Sequence, residues 1–126
     1  MRDHRITVHR ACADIDTGGL AGEAVAVLGY GNLGRAAALN LRDSGLKVRI
    51  GNRDDAYAER ARGDGFDVVP LSAASADDVV YILLPDEVVP EVFAMEVAPN
   101  LRPGSAIAFA SGYCPAFGLV RPPAPD

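Results

Sequence analysis

The 126-residue sequence predicts an α/β fold, a doubly wound parallel sheet of about five strands between two layers of helices. Three observations lead there. Short apolar runs recur along the chain, helix-forming stretches separate them, and a glycine-rich stretch follows the first run directly. Strands and helices alternating at this spacing connect by right-handed crossovers, which makes the sheet parallel and puts helices on both faces.

Residues 1–22 show no sustained period, carry mixed charge and pass through the turn-like Thr17-Gly18-Gly19, so they are expected to form an extended lead-in. Ala24-Val25-Ala26-Val27-Leu28 is an apolar run bounded by glycines, as a strand buried on both faces requires. From Leu33 to Leu41, small and apolar residues fall at helical spacing, and Ser44-Gly45 supplies the stop. Leu46 to Ile50 gives strand two. The Ala-, Glu- and Arg-rich stretch from Asp54 to Arg62 gives a helix that Gly63-Asp64-Gly65 ends. Phe66 to Val69 reads as strand three, Leu71 to Ala76 as a short helical turn, and Val79 to Leu84 as strand four.

Pro85 closes strand four, Asp86 can cap the next helix, and Pro90 falls in that helix's first turn, where its missing N–H costs little. This helix is expected to run to about Ala98. Asn100, Pro103 and Gly104 then turn the chain into strand five, Ala106 to Ala110. Ser111 to Pro115 reads as a loop. The dinucleotide-domain pattern thus spans residues 23–118, and a proline-rich extended tail occupies 119–126.

Composition narrows the function. At 49% hydrophobic and 23% charged residues the chain is ordinary for a globular domain, and its length allows one core. A net charge of −5 without any basic run works against nucleic acid and anionic lipid as partners. The longest apolar run is too short to cross a bilayer. Two cysteines, Cys12 and Cys114, with no leader pattern ahead of them read as reduced and cytoplasmic, and His4 and His9 lack zinc-site spacing, so no metal is expected in this chain.

The chemistry sits at the strand ends. In Gly29-Tyr30-Gly31-Asn32-Leu33-Gly34 the first glycine turns the chain out of strand one, and the second removes a side chain where a pyrophosphate approaches. The third lets helix and strand pack closely. The free N–H groups and dipole of the helix that follows then suit a diphosphate. Strand, motif and helix in that order are the context of a Rossmann-like dinucleotide site. At the end of strand two, Gly51-Asn52-Arg53 lacks the acid that grips the ribose of NAD, and Arg53 suits the 2′-phosphate of NADP. Against that, Asp54 and Asp55 follow at once and no Ser or Thr occurs between Ser44 and Ser72, so NADP stands only slightly ahead of NAD with both open. Asp86 and Glu87 open the helix after strand four, either as acids at its positive end or beside the nicotinamide. Ser111 reads as a turn residue, with no base nearby to activate it.

The run from Val25 through Gly29-Tyr30-Gly31-Asn32-Leu33-Gly34 to Gly45 resembles the ketol-acid reductoisomerases. So do Leu83-Leu84-Pro85-Asp86-Glu87-Val88-Val89-Pro90, Ala98-Pro99-Asn100-Leu101 and Ala108-Phe109-Ala110. The likeness covers nearly all of the chain from Ala13 and corresponds to that family's N-terminal NADP-binding domain. It implies an oxidoreductase of branched-chain amino acid biosynthesis that uses NADPH and magnesium. In it Tyr30, Gly31, Asn32 and Leu33 form the pyrophosphate loop, Arg53 meets the adenosine phosphate, and Asp86, Glu87, Val88 and Val89 line the nicotinamide side.

Three departures bear on the activity. The family's histidines after strand five are absent from Ser111 to Gly118, its serines beyond the strand-two arginine are absent from Asp54 to Ala58, and its metal-binding helical domain has no counterpart here. Without metal ligands the alkyl migration lacks its Lewis acid, so this polypeptide alone is not expected to catalyse that reaction. Two readings follow: an enzyme subunit completed by another chain or turned to other chemistry, and a non-catalytic dinucleotide-binding or interaction module. An open edge beyond strand five predicts a homodimer or a partner chain that covers it.

Overall fold

The computed structural model describes residues 18–123. The first apolar run forms β1, Ala24–Leu28, and its side chains alternate between two cores as a strand's must. Ala26 and Leu28 face one core and Val27 the other. Parallel partners flank β1 on both sides: β2, Lys47–Gly51, pairs Val27 with Ile50, and β4, Val79–Ile82, pairs Val27 with Tyr81. Outside these lie β3, Asp67–Val69, and β5, Ala106–Phe109, giving the order β3-β2-β1-β4-β5 with every pair parallel. The predicted doubly wound sheet is therefore what the chain forms.

Helices cover both faces. On one side α1, Asn32–Asp43, and α2, Ala56–Gly63, bring Ala38 and Ala61 against Val27, Ile50, Tyr30 and Phe66. On the other, α3, Leu71–Ala74, and α4, Val89–Val92, bring Leu71, Ala74, Val89 and Val92 against Ala26, Leu28, Val80 and Ile82. Because β2 and β3 lie to one side of β1 and β4 and β5 to the other, the loops after β1 and β4 diverge. The crevice opens between them, at the carboxyl ends of the strands.

Several local expectations need correction. Asp86 does not cap the helix after β4: α4 begins at Val89, and the Pro85 carbonyl accepts from the Val88 and Val89 N–H groups instead. Nor does that helix run evenly to Ala98. It widens to a π turn over Phe93–Val97 and tightens to a 3-10 turn over Ala98–Asn100. Pro99 accounts for the change, since it has no N–H to give the Met95 carbonyl and its ring crowds it. Asn100 Nδ2 then donates to the Glu96 carbonyl at 2.8 Å.

The predicted loop after strand five contains α5, Tyr113–Ala116, with the Ser111 hydroxyl accepting from the Tyr113 N–H. Pro115 is accommodated there because a first-turn residue needs no donor. The tail is not wholly unpacked, since Val120 is buried in the core beside Cys114. The lead-in is described only from Gly18, where a turn carries Ala21 N–H to the Gly18 carbonyl. Met1 to Thr17, with His4, His9 and Cys12, and the last three residues lie outside the described residues.

Polar clamps hold the layers in register. Arg49 of β2 donates from Nε and Nη2 to both oxygens of the buried Asp77, at 2.8 and 2.6 Å, and from Nη2 to the Ala73 carbonyl. On the opposite face the Tyr30 hydroxyl donates to Asp64 Oδ2 at 2.7 Å, and Arg35 donates to both Asp64 oxygens. Burial, reinforced by that bond to an anion, pushes the Tyr30 phenol up to about 12. The bonds from Arg35 and Tyr30 lower the Asp64 carboxyl to about 2.

The signs differ between the two groups. Stabilisation through Asp64 is whole above its ordinary value of 3.8 and is lost as pH falls toward 2. Stabilisation through Tyr30 is whole below pH 10 and is lost as pH rises through about 12. The unfolding temperature is accordingly expected to fall between pH 4 and pH 2 (roughly the span of the Asp64 shift) more steeply in the wild type than in Asp64→Asn. Equal slopes for the two proteins would remove Asp64 from the account.

Candidate functional site

The site is built on the turn from β1 into α1. Gly29 leaves β1 with φ +93°, a backbone that side chains rarely adopt, and a Cβ there would stand 2.8 Å from the Leu83 carbonyl oxygen. A Cβ on Gly34 would collide with the Gly29 carbonyl oxygen, so the helix sits against the strand end only because residue 34 has no side chain. These two glycines are demanded by the fold.

Gly31 is different. Its backbone, at φ −71° and ψ −164°, is open to any residue, and a Cβ there would meet nothing within 4 Å. It stands at the N-cap of α1 with no side chain capping the helix and no acid in the first turn. Arg35 donates to the Gly31 carbonyl as the first intrahelical bond, leaving the N–H groups of Asn32, Leu33 and Gly34 without an acceptor in the helix. The positive end of a twelve-residue helix thus faces open space through bare amides.

That open space is a cleft of about 450 Å³ along the strand ends. Of the residues singled out in the sequence, it brings together Gly29, Tyr30, Gly31, Asn32, Leu33, Arg53 and Val88. Tyr30 contributes only its backbone side, since its ring is buried against Phe66 with centroids 5.8 Å apart. Gly34 is buried behind the loop. Val89 packs in the core, while Asp86 and Glu87 are exposed and do not line the cleft. Asp86 borders a separate small hollow with Ser111 and Cys114, where burial and the Asp86 charge push the Cys114 thiol up.

The cleft also holds residues that the sequence reading did not assign to it. Asn52, Asp55 and Tyr57 form its rim beyond β2, and Leu83, Leu84 and Pro85 form its wall beyond β4. Asp55 caps α2: its Oδ1 accepts from the Tyr57 and Ala58 N–H groups at 2.9 and 3.1 Å and from Asn52 Nδ2 at 2.9 Å. An N-cap aspartate contributes about 1 kcal/mol to its helix. Its cap spacing was visible in the sequence, but its place on the rim depends on how α2 docks. Among the described residues no three His, Cys, Asp or Glu side chains gather as a metal site.

A model of the acetohydroxy acid isomeroreductase NADPH-binding domain matches residues 19–125. The chain belongs to this family. It is accordingly a nicotinamide dinucleotide-binding domain of the isomeroreductase type, as the resemblance implied. Among solved structures, an NADH-preferring ketol-acid reductoisomerase from an uncultured archaeon is 38% identical with a TM-score of 0.88 over 90% of this chain. This isomeroreductase domain spans 37% of that protein's length.

Related dehydrogenase domains share the fold. A semialdehyde dehydrogenase NAD-binding protein from Cupriavidus necator, in complex with calcium and NAD, is 28% identical with a TM-score of 0.69. That match covers 79% of this chain and 37% of the other. The 3-hydroxyisobutyrate dehydrogenase of Mycobacterium tuberculosis is 32% identical with a TM-score of 0.64 over 71% of this chain and 31% of its own.

Proposed function

We propose that the cleft holds a nicotinamide dinucleotide with its diphosphate on the amides of Asn32, Leu33 and Gly34, and that Gly31 is glycine to let it approach. One observation carries this reading: the fold explains Gly29 and Gly34, but neither backbone nor packing explains Gly31. A bare helix N-terminus with no acid beside it supports an anion at that point. The adenosine half then extends past β2 toward Arg53, Asp55 and Tyr57. The nicotinamide half extends past β4 toward Pro85, Val88 and Ala110. Arg53 is the cation the sequence set against a 2′-phosphate, yet the similar archaeal reductoisomerase is described as NADH-preferring.

The bound cofactor supplies a hydride, and the apolar wall of Leu83, Leu84 and Val88 shields that end from water. This chain's part in the isomeroreductase reaction is to hold and orient the cofactor. The metal and substrate carboxylates belong to a partner or to further chain. The outer side of β5 has no strand neighbour among the described residues, which supports a homodimer or partner chain there; a sedimentation mass above the 13.2 kDa of one chain is its sign.

The test is thermal unfolding with and without dinucleotide. A ligand that binds only the folded form at about a hundred times its Kd adds about 2.7 kcal/mol, so NADH, NADPH and ADP-ribose at millimolar concentration are expected to raise the unfolding temperature by several degrees. No rise with any of them sinks the reading. The same preparation given an acetohydroxy acid, cofactor and magnesium is expected to show no turnover.

A further inference from the structure

We propose that Asp64 is a positioning residue for the dinucleotide: without touching it, the Asp64 carboxylate holds the β1–α1 loop in the shape that presents the Asn32, Leu33 and Gly34 amides to the diphosphate. The inference rests on the reading of the cleft as a dinucleotide site and adds what keeps that site formed.

The anchors lie on either side of those amides. Tyr30 precedes the N-cap of α1, Arg35 follows Gly34, and both side chains end on Asp64. The Tyr30 hydroxyl and Arg35 Nε each donate to Asp64 Oδ2 at 2.7 Å, and Arg35 Nη2 donates to Oδ1 at 3.3 Å. A single carboxylate therefore brackets the loop. Neither Arg35 nor Asp64 lines the cleft, and the Tyr30 ring is buried against Phe66. What these side chains do for a ligand they do through the backbone between them.

Asp64 is itself held in place. It caps the C-terminal end of α2, its N–H donates to the Arg60 carbonyl at 3.0 Å, and its own carbonyl accepts from Arg42 Nη1 at 2.6 Å. The Arg42 guanidinium lies 4.4 Å over the Phe66 ring, so α1, α2 and the loop meet at this point. The loop needs such a hold, because in Gly29-Tyr30-Gly31 the Tyr30 side chain is the only one, and glycine backbone is the freest to move. A loop that holds its binding shape for only a fraction of the time binds more weakly by that fraction. Asparagine at 64 would put an amide donor where one oxygen now accepts, so the bonds from Tyr30 and Arg35 could not all be kept.

The test is calorimetric titration with NADH and with ADP-ribose, at a temperature where melting curves show every variant folded, so that lost stability alone cannot lower affinity. Asp64→Asn is expected to weaken both ligands about tenfold, as a loop in its binding shape about a tenth of the time would. Tyr30→Phe is expected to weaken them by less, and the double variant to bind no worse than Asp64→Asn, since both act through one carboxylate. Asp77→Asn is the control: it breaks the clamp to Arg49 on the opposite face, lowers the unfolding temperature and is expected to leave both affinities unchanged. Wild-type affinity in Asp64→Asn, an equal loss in Asp77→Asn, or losses that multiply in the double variant overturns the assignment. Wild type that binds neither ligand overturns the cleft reading, and this assignment with it.

Discussion

Gly31→Asp is expected to lose dinucleotide binding by on the order of a hundredfold while the protein unfolds at an unchanged or slightly higher temperature. The two halves of that result have one cause. Residue 31 is the N-cap of α1, its backbone lies in the extended region, and its Cβ position is empty space. Aspartate is among the favoured N-caps and gains a few tenths of a kcal/mol over glycine. Its carboxylate gains that by accepting from the first-turn amides, the groups the diphosphate needs, and it brings a like charge to the same spot. Titration calorimetry and a melting curve on one preparation check both halves. Retained affinity would mean that the diphosphate does not sit on this helix.

Gly34→Ala is expected to do the opposite kind of damage. An added Cβ meets the Gly29 carbonyl oxygen, which is backbone and cannot swing aside. Gly29 is in turn held by its N–H bond to the Gly51 carbonyl and by its own close approach to Leu83. The helix must shift off the strand end, at a cost of roughly 3 kcal/mol, which lowers the unfolding temperature by about 10 °C. Melting curves of the ligand-free variant measure it. An unaltered melting temperature would show that the β1–α1 turn relaxes more freely than its contacts imply. Three glycines of one motif thus separate into two that the fold requires and one, Gly31, that neither backbone nor packing requires.

The five strands and their parallel sheet could be read from the sequence because apolar runs recur with helix-forming residues between them, and nothing distant had to be known. The same holds for the β1–α1 turn, where glycine spacing encodes geometry directly. What sequence could not supply depends on tertiary contact. Asp86 looked like a cap because it follows Pro85, but the Pro85 carbonyl takes the two amides first and the helix starts at Val89. α5 is four residues long with a proline inside, too short for a period to show.

The rim was harder still. Asp54 and Asp55 look alike in sequence, yet one pairs with Arg62 in the open and the other caps α2 at the cleft edge. Only the docking of α2 after β2 distinguishes them. Tyr30 reads as a loop residue in the motif, and its burial follows from Phe66 and Asp64, more than thirty positions away.

The central claim is that a nicotinamide dinucleotide lies with its diphosphate on the first turn of α1. Its most direct test is a titration of the ¹⁵N-labelled chain with NADH, followed by amide chemical shifts. The account predicts the largest changes at Gly31, Asn32, Leu33 and Gly34, smaller ones at Arg53, Asp55 and Val88, and none along Ser105 to Ile107 at the far ends of the strands. Saturating NADH that leaves the Asn32–Gly34 amides unmoved, or moves amides elsewhere instead, would contradict it.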